Sequence, residues 1–252
     1  MSAAKAAWVY LHGLPGGPDE TALVGAEPNL YFAPHLDKGP LAEQLEQQFG
    51  DDPVRLIGFS LGAFRALRFA AAFPDRVASL HLIAPAPPLD LGDFLGAMAG
   101  GPIFRLARDH PAIFRLVTAL QARAARWAPH WFARQIFAQA DGEDARLTAT
   151  ARFRAHWARL AQNALGRNSA AYRDEITAYV RPWANLLSTI STPVTIYFGG
   201  ADTWVPAAGL RALAAALPHP PSLTCFPQAG HYSALAAALP LILSEADQSA
   251  FS

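Results

Sequence analysis

Ser60, Asp202 and His231 are the residue types that together can turn a hydroxyl into a nucleophile at neutral pH. A serine hydroxyl is a poor nucleophile alone. It needs a neutral imidazole to take its proton and a carboxylate to orient that imidazole. Ser60 lies at the centre of Gly58-Phe59-Ser60-Leu61-Gly62, a G-x-S-x-G pattern. In such an elbow the serine sits on a strained strand-to-helix turn, and the flanking positions have almost no room for a side chain. Chance produces such a pentapeptide often enough that its context must carry the weight. That context is an apolar run, Val54 to Ile57, before the serine and a stretch of helical composition, Ala63 to Ala72, after it. The chemistry suggested is acyl transfer through a serine.

Each partner also has an ordinary structural role. Asp202 could simply cap the helix expected near Pro206, and His231 could be a hydrogen-bonded loop residue. Taken together they read differently, because each lies a few residues beyond a predicted strand and the chain order is Ser, Asp, His. Asp90 and Asp93, beyond another strand, are the alternative acids.

The elements that must position these groups follow from the apolar runs. Strands are expected at Trp8 to Leu11, Leu30 to Ala33, Val54 to Ile57, Ala78 to Ile83, Pro193 to Phe198 and Ser222 to Phe226. Helices are expected at Leu41 to Phe49, after Ser60, over Ala207 to Leu217, and from Ser233 into the C-terminus. Strand and helix alternate, so the fold class is α/β with a mostly parallel, doubly wound sheet covered on both faces. Between Pro88 and Ile190 the alternation stops. Helical spacing prevails there, as in Ile113, Leu116, Val117 and Leu120. Residues 1–88 and 191–252 are therefore read as the core, and 89–190 as an all-helical lid inserted in it.

Composition narrows the classes. With 52% hydrophobic and 16% charged residues in 252, the chain can bury a large core. Its 20 basic and 20 acidic residues cancel, which gives no case for a nucleic-acid partner. Between Ala86 and Thr192 there are 13 basic and 8 acidic residues. That basic excess reads as a solvated helical face, with adsorption to an anionic membrane as a lesser idea. The lone Cys225 is expected to be a small buried residue of the last strand. No phosphate-binding loop and no zinc-type histidine pair is present, so neither cofactor nor metal is expected. Met1 to Ala7 does not have the form of a signal peptide, and no apolar tract is long enough for a span. A cytoplasmic protein is expected.

At these residues the sequence resembles the α/β-hydrolase superfamily. His12-Gly13 closing the first strand, Gly58 to Gly62, Gly199-Gly200-Ala201-Asp202 with Val205-Pro206, and Gly230-His231 match its successive landmarks. The resemblance implies that Ser60 is the nucleophile, His231 the general base and then acid, and Asp202 the orienting carboxylate. It implies an oxyanion hole made by the backbone N–H groups of Leu61 and Leu14, Pro15 having none to give. It also implies that residues 89–190 are a helical cap, with His12 bracing the loop after the first strand. An aspartate nucleophile is absent, which disfavours epoxide and halide chemistry. The expected function is cofactor-independent hydrolysis of a carboxylic ester of a small to medium hydrophobic acid. The same triad acting on a lactone, thioester, amide or C–C bond is the alternative, and a non-catalytic small-molecule binder is the alternative of another class. A small-molecule substrate is the expected partner, with no nucleic acid, no membrane contact, and a monomer or homodimer.

Overall fold

The computed structural model describes residues 6–26, 30–33 and 40–248. Most of Met1 to Ala7, which reads as lacking the form of a signal peptide, and the last four residues of the chain lie outside that range. Six strands form one sheet: β1 (Ala7–Leu11), β2 (Tyr31–Phe32), β3 (Val54–Phe59), β4 (Val77–Ile83), β5 (Val194–Gly199) and β6 (Ser222–Phe226). Their order is β2-β1-β3-β4-β5-β6 and every pairing is parallel. The central strands read as near-continuous apolar runs because both faces are covered, and Leu56, Ile57, Leu80, Leu82 and Ile83 are fully buried.

All strands point the same way, so their carboxyl ends share one edge. From β1 the chain first moves to β2 on one side; it then crosses to β3 on the other and continues outward through β6. The direction of winding therefore reverses between β1 and β3. A crevice opens at such a point beyond the strand ends. Ser60 follows β3 and the His12-to-Gly17 loop follows β1.

Helix α1 (Leu41–Phe49) precedes β3, and α2 (Leu61–Ala72) follows it. Helix α2 buries Leu61, Gly62, Ala63, Phe64, Ala66, Leu67, Phe69 and Ala70, more than one face's worth. It is covered on its outer side as well. The Phe64 ring lies 5.6 Å from Tyr179 and 4.9 Å from Trp183. Those residues belong to the long stretch between β4 and β5. That stretch contains α3 (Gly101–Asp109), α4 (Pro111–Trp127), α5 (Pro129–Ile136), α6 (Gly142–Ala149), α7 (Ala151–Ala161) and α8 (Ser169–Tyr179). A π-helical turn, Gln162–Arg167, joins α7 to α8. The core resumes with β5, α9 (Ala207–Ala216), β6 and α10 (His231–Gln248). Helix α10 begins two residues before the position expected from sequence.

One expectation fails on burial. Cys225 is exposed rather than buried, because β6 is an edge strand whose Leu223 and Cys225 face is left uncovered. On α4 the spacing of Ile113, Leu116, Val117 and Leu120 is helical as expected, but Ile113, Leu116 and Leu120 face outward. Phe114, Thr118 and Ala125 form its buried side. Among the described residues no helix is long and apolar enough to cross a membrane.

Candidate active site

Ser60 has φ 54° and ψ −121°, a backbone conformation that non-glycine residues rarely adopt. Such strain costs on the order of 1–3 kcal/mol and survives only where the surroundings impose it. Here three main-chain hydrogen bonds do so. Ser60 N–H donates to the Ile83 carbonyl at 2.9 Å, and the Ser60 carbonyl accepts from Ala63 N–H at 3.1 Å and Ala86 N–H at 3.2 Å. The flanking glycines are a steric necessity. A Cβ on Gly58 would lie 2.7 Å from Ala63 Cα, and one on Gly62 would lie 2.0 Å from the Leu11 carbonyl oxygen. Two side chains at these positions would drive α2 off the ends of β1 and β3.

Asp202 follows β5 and His231 opens α10, and the two meet. His231 Nδ1 lies 2.8 Å from Asp202 Oδ2. A carboxylate oxygen accepts, so Nδ1 carries the hydrogen and Nε2 is left free of one. Asp202 is held in turn by its own loop, since Oδ1 accepts from Trp204 N–H at 2.7 Å and Val205 N–H at 3.0 Å. The loop thus fixes Oδ1 and turns Oδ2 toward the ring. The Phe59 ring, next to the serine, lies tilted against the His231 ring with centroids 4.8 Å apart, and Trp204 stacks on it at 5.6 Å. Among the described residues no hydrogen bond joins Ser60 Oγ to His231, as is common before a substrate tightens the site.

The surroundings of His231 set its charge. Burial, at 2% exposure, disfavours the imidazolium; the Asp202 charge and hydrogen bond, with Asp144 and Glu20 adding to them, outweigh it. Its pKa therefore lies above the ordinary imidazole value. His81, in the middle of β4, is the contrast. It packs between Trp8 and Tyr197, and burial, with Arg55 nearby, drops its pKa to about 4. One buried histidine is surrounded by carboxylates and the other is a neutral core residue.

The fallback acids lie elsewhere. Asp90 accepts from the N–H groups of Trp183 and Ala184 at the return from the helical stretch to the core. His12 braces the loop after β1 through Nδ1 to the Gly13 carbonyl at 2.9 Å. Leu14 of that loop, Ser60 and Leu61 line one cavity of about 410 Å³. As the first residue of α2, Leu61 has no intrahelical acceptor for its N–H. The rest of the lining is mostly apolar and comes largely from the helical stretch, including Ile103, Val117 and Ile176. Of the aromatic residues of that stretch, Phe104, Phe132 and Trp157 reach the cavity, whereas Trp127 is 77% exposed and Trp131 50%.

Two carboxylates at the site went unnoticed in the sequence. Glu20, 1% exposed, accepts through Oε2 from Tyr10 O–H at 2.8 Å and Gly13 N–H at 2.9 Å, so it anchors the loop after β1. Burial pushes its carboxyl up to about 7 against those two bonds, which favour the ionised form. Asp144 of α6 reaches across to the start of α10, where its Oδ2 accepts from His231 N–H at 2.8 Å. Its presence explains why α10 begins at His231. The one sequence signal was the lack of a local side-chain cap: Gly230 precedes the helix and has none to give. Among the described residues no group of three or more His, Cys, Asp or Glu side chains is placed to hold a metal ion.

Comparison with known proteins bears on the fold and the family. Residues 40–237 match the family model described as alpha/beta hydrolase fold. The chain is 30% identical over 244 residues to the pimeloyl-[acyl-carrier protein] methyl ester esterase of Chromobacterium violaceum, covering 88% of this chain and 76% of that one. A shorter match, 43% over 65 residues, is to lipase LipV of Mycobacterium tuberculosis and spans 25% of this chain and 24% of that protein. Among solved structures, a thermophilic esterase from Thermogutta terrifontis superposes with a TM-score of 0.66 at 16% identity, over 99% of this chain and 90% of that one.

Proposed function

The chain belongs to the α/β-hydrolase superfamily, and we propose that within it the protein is a serine esterase cleaving esters of small to medium hydrophobic acids. The observation that carries this reading is the buried 2.8 Å His231–Asp202 pair, set beside a serine held at φ 54°. In the proposed reaction His231 Nε2 takes the Ser60 proton as Oγ attacks the ester carbonyl. The oxyanion that forms is met by the N–H groups of Leu14 and Leu61. The tetrahedral intermediate collapses, the alcohol leaves with the proton from His231, and Ser60 is left acylated. Water then attacks the acyl-enzyme with His231 as base again, and the acid departs as Ser60 is regenerated.

The helices of residues 89–190 act in this reading as a cap over the serine. A cavity of about 410 Å³ is in the range of small-ligand sites, and its Phe104, Phe132, Trp157 and Leu165 walls favour an acyl chain over a charged group. The Chromobacterium relative is named for a methyl ester, which supports a small alcohol part. The test is turnover of p-nitrophenyl esters from acetate to decanoate by purified protein. Short and medium chains are expected to be cleaved, and Ser60→Ala to abolish cleavage. Turnover that survives the substitution contradicts the reading.

A further inference from the structure

We propose that Asp144 is a positioning residue for His231, so that the helices over the cavity and the base beneath them are set as one unit. The inference rests on His231 being the base. Asp144 lies in the first turn of α6 and is 7% exposed. Its carboxylate takes up the start of α10. Oδ2 accepts from His231 N–H at 2.8 Å and Tyr232 N–H at 3.2 Å; Oδ1 accepts from Ser233 N–H at 2.8 Å and Ser233 O–H at 2.6 Å. Ser233 Oγ in turn accepts from Gly230 N–H at 2.7 Å. Every backbone N–H from Gly230 to Ser233 is therefore held, directly or through one hydroxyl, by a side chain 87 residues away from His231.

An ordinary helix start is capped by the residue before it, and that cap moves with the helix. This one belongs to another element. Gly230 stands where the local cap would be, and a Cβ on it would lie 2.6 Å from Asp144 Cγ. Glycine here admits the carboxylate from above. The neighbouring contacts run the same way: Trp157 Nε1–H donates to Tyr232 Oη at 3.3 Å, and the Phe153 and Phe137 rings lie 5.2 and 5.6 Å from the Tyr232 ring. Helices α6 and α7 thus grip His231-Tyr232-Ser233. A displacement of α6 would be transmitted to the His231 backbone through bonds to charged oxygen, which are stronger than neutral ones. The charged groups that act on the imidazole are Asp202 from the loop after β5, Glu20 from the turn after β1, and Asp144 from α6.

The experiment compares wild type with Asp144→Asn, which keeps the shape but removes the charge and leaves one oxygen to face the donors. Two quantities are read in each: the titration of the His231 imidazole by NMR, assigned with His231→Gln, and kcat and KM on a short ester. Expected for folded D144N are a fall of about half a pH unit or more in the His231 pKa and a loss of roughly 10-fold or more in kcat, with KM changed less than about threefold. A folded D144N whose His231 titration and kcat both match wild type overturns the inference and leaves Asp144 a helix cap alone. Should D144N not fold, Ser233→Ala removes the bridge to Gly230. A kcat loss of about threefold or more at constant KM is then expected, and no loss overturns the inference. The titration needs no turnover. A wild type without esterase activity, in which D144N still shifts the His231 titration, overturns the esterase reading while sustaining the tie between α6 and His231.

Discussion

The carboxyl edge of the sheet and the helical layer above it hold their side chains by different means. At the edge, backbone groups fix two of the three residues, with three main-chain bonds pinning Ser60 and two N–H donors of its own loop aiming Asp202, whereas the backbone of His231 is held by the Asp144 side chain. In the helical layer, Phe104, Phe132 and Trp157 are held by side-chain packing against other rings, such as Tyr179 and Phe137. The difference separates two kinds of property. Geometry fixed by backbone cannot drift without unfolding its loop, so it suits the reacting atoms. A wall made of packed side chains can be recut one residue at a time, so it suits the choice of substrate.

Breaking the edge should cost most. Asp202→Asn keeps the loop's shape but removes the charge that orients His231, and kcat should fall by about 10³- to 10⁴-fold, measured by steady-state kinetics on the best ester. The same pair fixes the pH dependence. Only the neutral imidazole can act as base, and its pKa is raised in the folded protein, so activity is lost as pH falls through that value. The acid limb of kcat/KM is expected above about 6.5, the ordinary histidine value, and a pH–rate profile locates it.

Recutting the wall should cost less and change preference rather than chemistry. Val117 lines the cavity from α4, so Val117→Phe should shorten the space for acyl chain. Turnover of octanoate relative to acetate should drop by roughly 10-fold or more, with acetate hydrolysis retained, as an ester chain-length series would report.

The smallest effect concerns Glu20, which anchors the loop after β1 at the edge. The Glu20 pKa is raised from 4.5 to about 7 on folding, so the folded state binds its proton more tightly than the unfolded one. Its contribution to stability is full below the unfolded value and is lost as pH rises through about 7. Glu20→Gln removes this loss. The fall in Tm between pH 5 and pH 8 should shrink by roughly 5 °C, measured by scanning calorimetry.

Much of the edge was legible because its signals are local. Each strand is a short apolar run, and Ser60, Asp202 and His231 each follow one within a few residues. Strand order was not legible, since it depends on where each crossover returns. The helical layer hid more. Asp144 sits in Asp141-Gly142-Glu143-Asp144-Ala145-Arg146, which reads as a solvated charged turn, and only its contact with the start of α10, far along the chain, gives it a role. Glu20 is equally plain in sequence; its burial comes from Tyr10 and the loop folding over it. Periodicity on α4 revealed a helix but not which side faces the cavity, because the basic and apolar residues share the outer arc.

The central claim is that Ser60, activated by His231, is the nucleophile. It is tested most directly by treating the folded protein with a fluorophosphonate and mapping the adduct by peptide mass spectrometry. One adduct on Ser60 is predicted, absent in Ser60→Ala and slowed by about a thousandfold or more in His231→Gln. A folded wild type that stays unlabelled, or that carries the adduct on another residue, would contradict it.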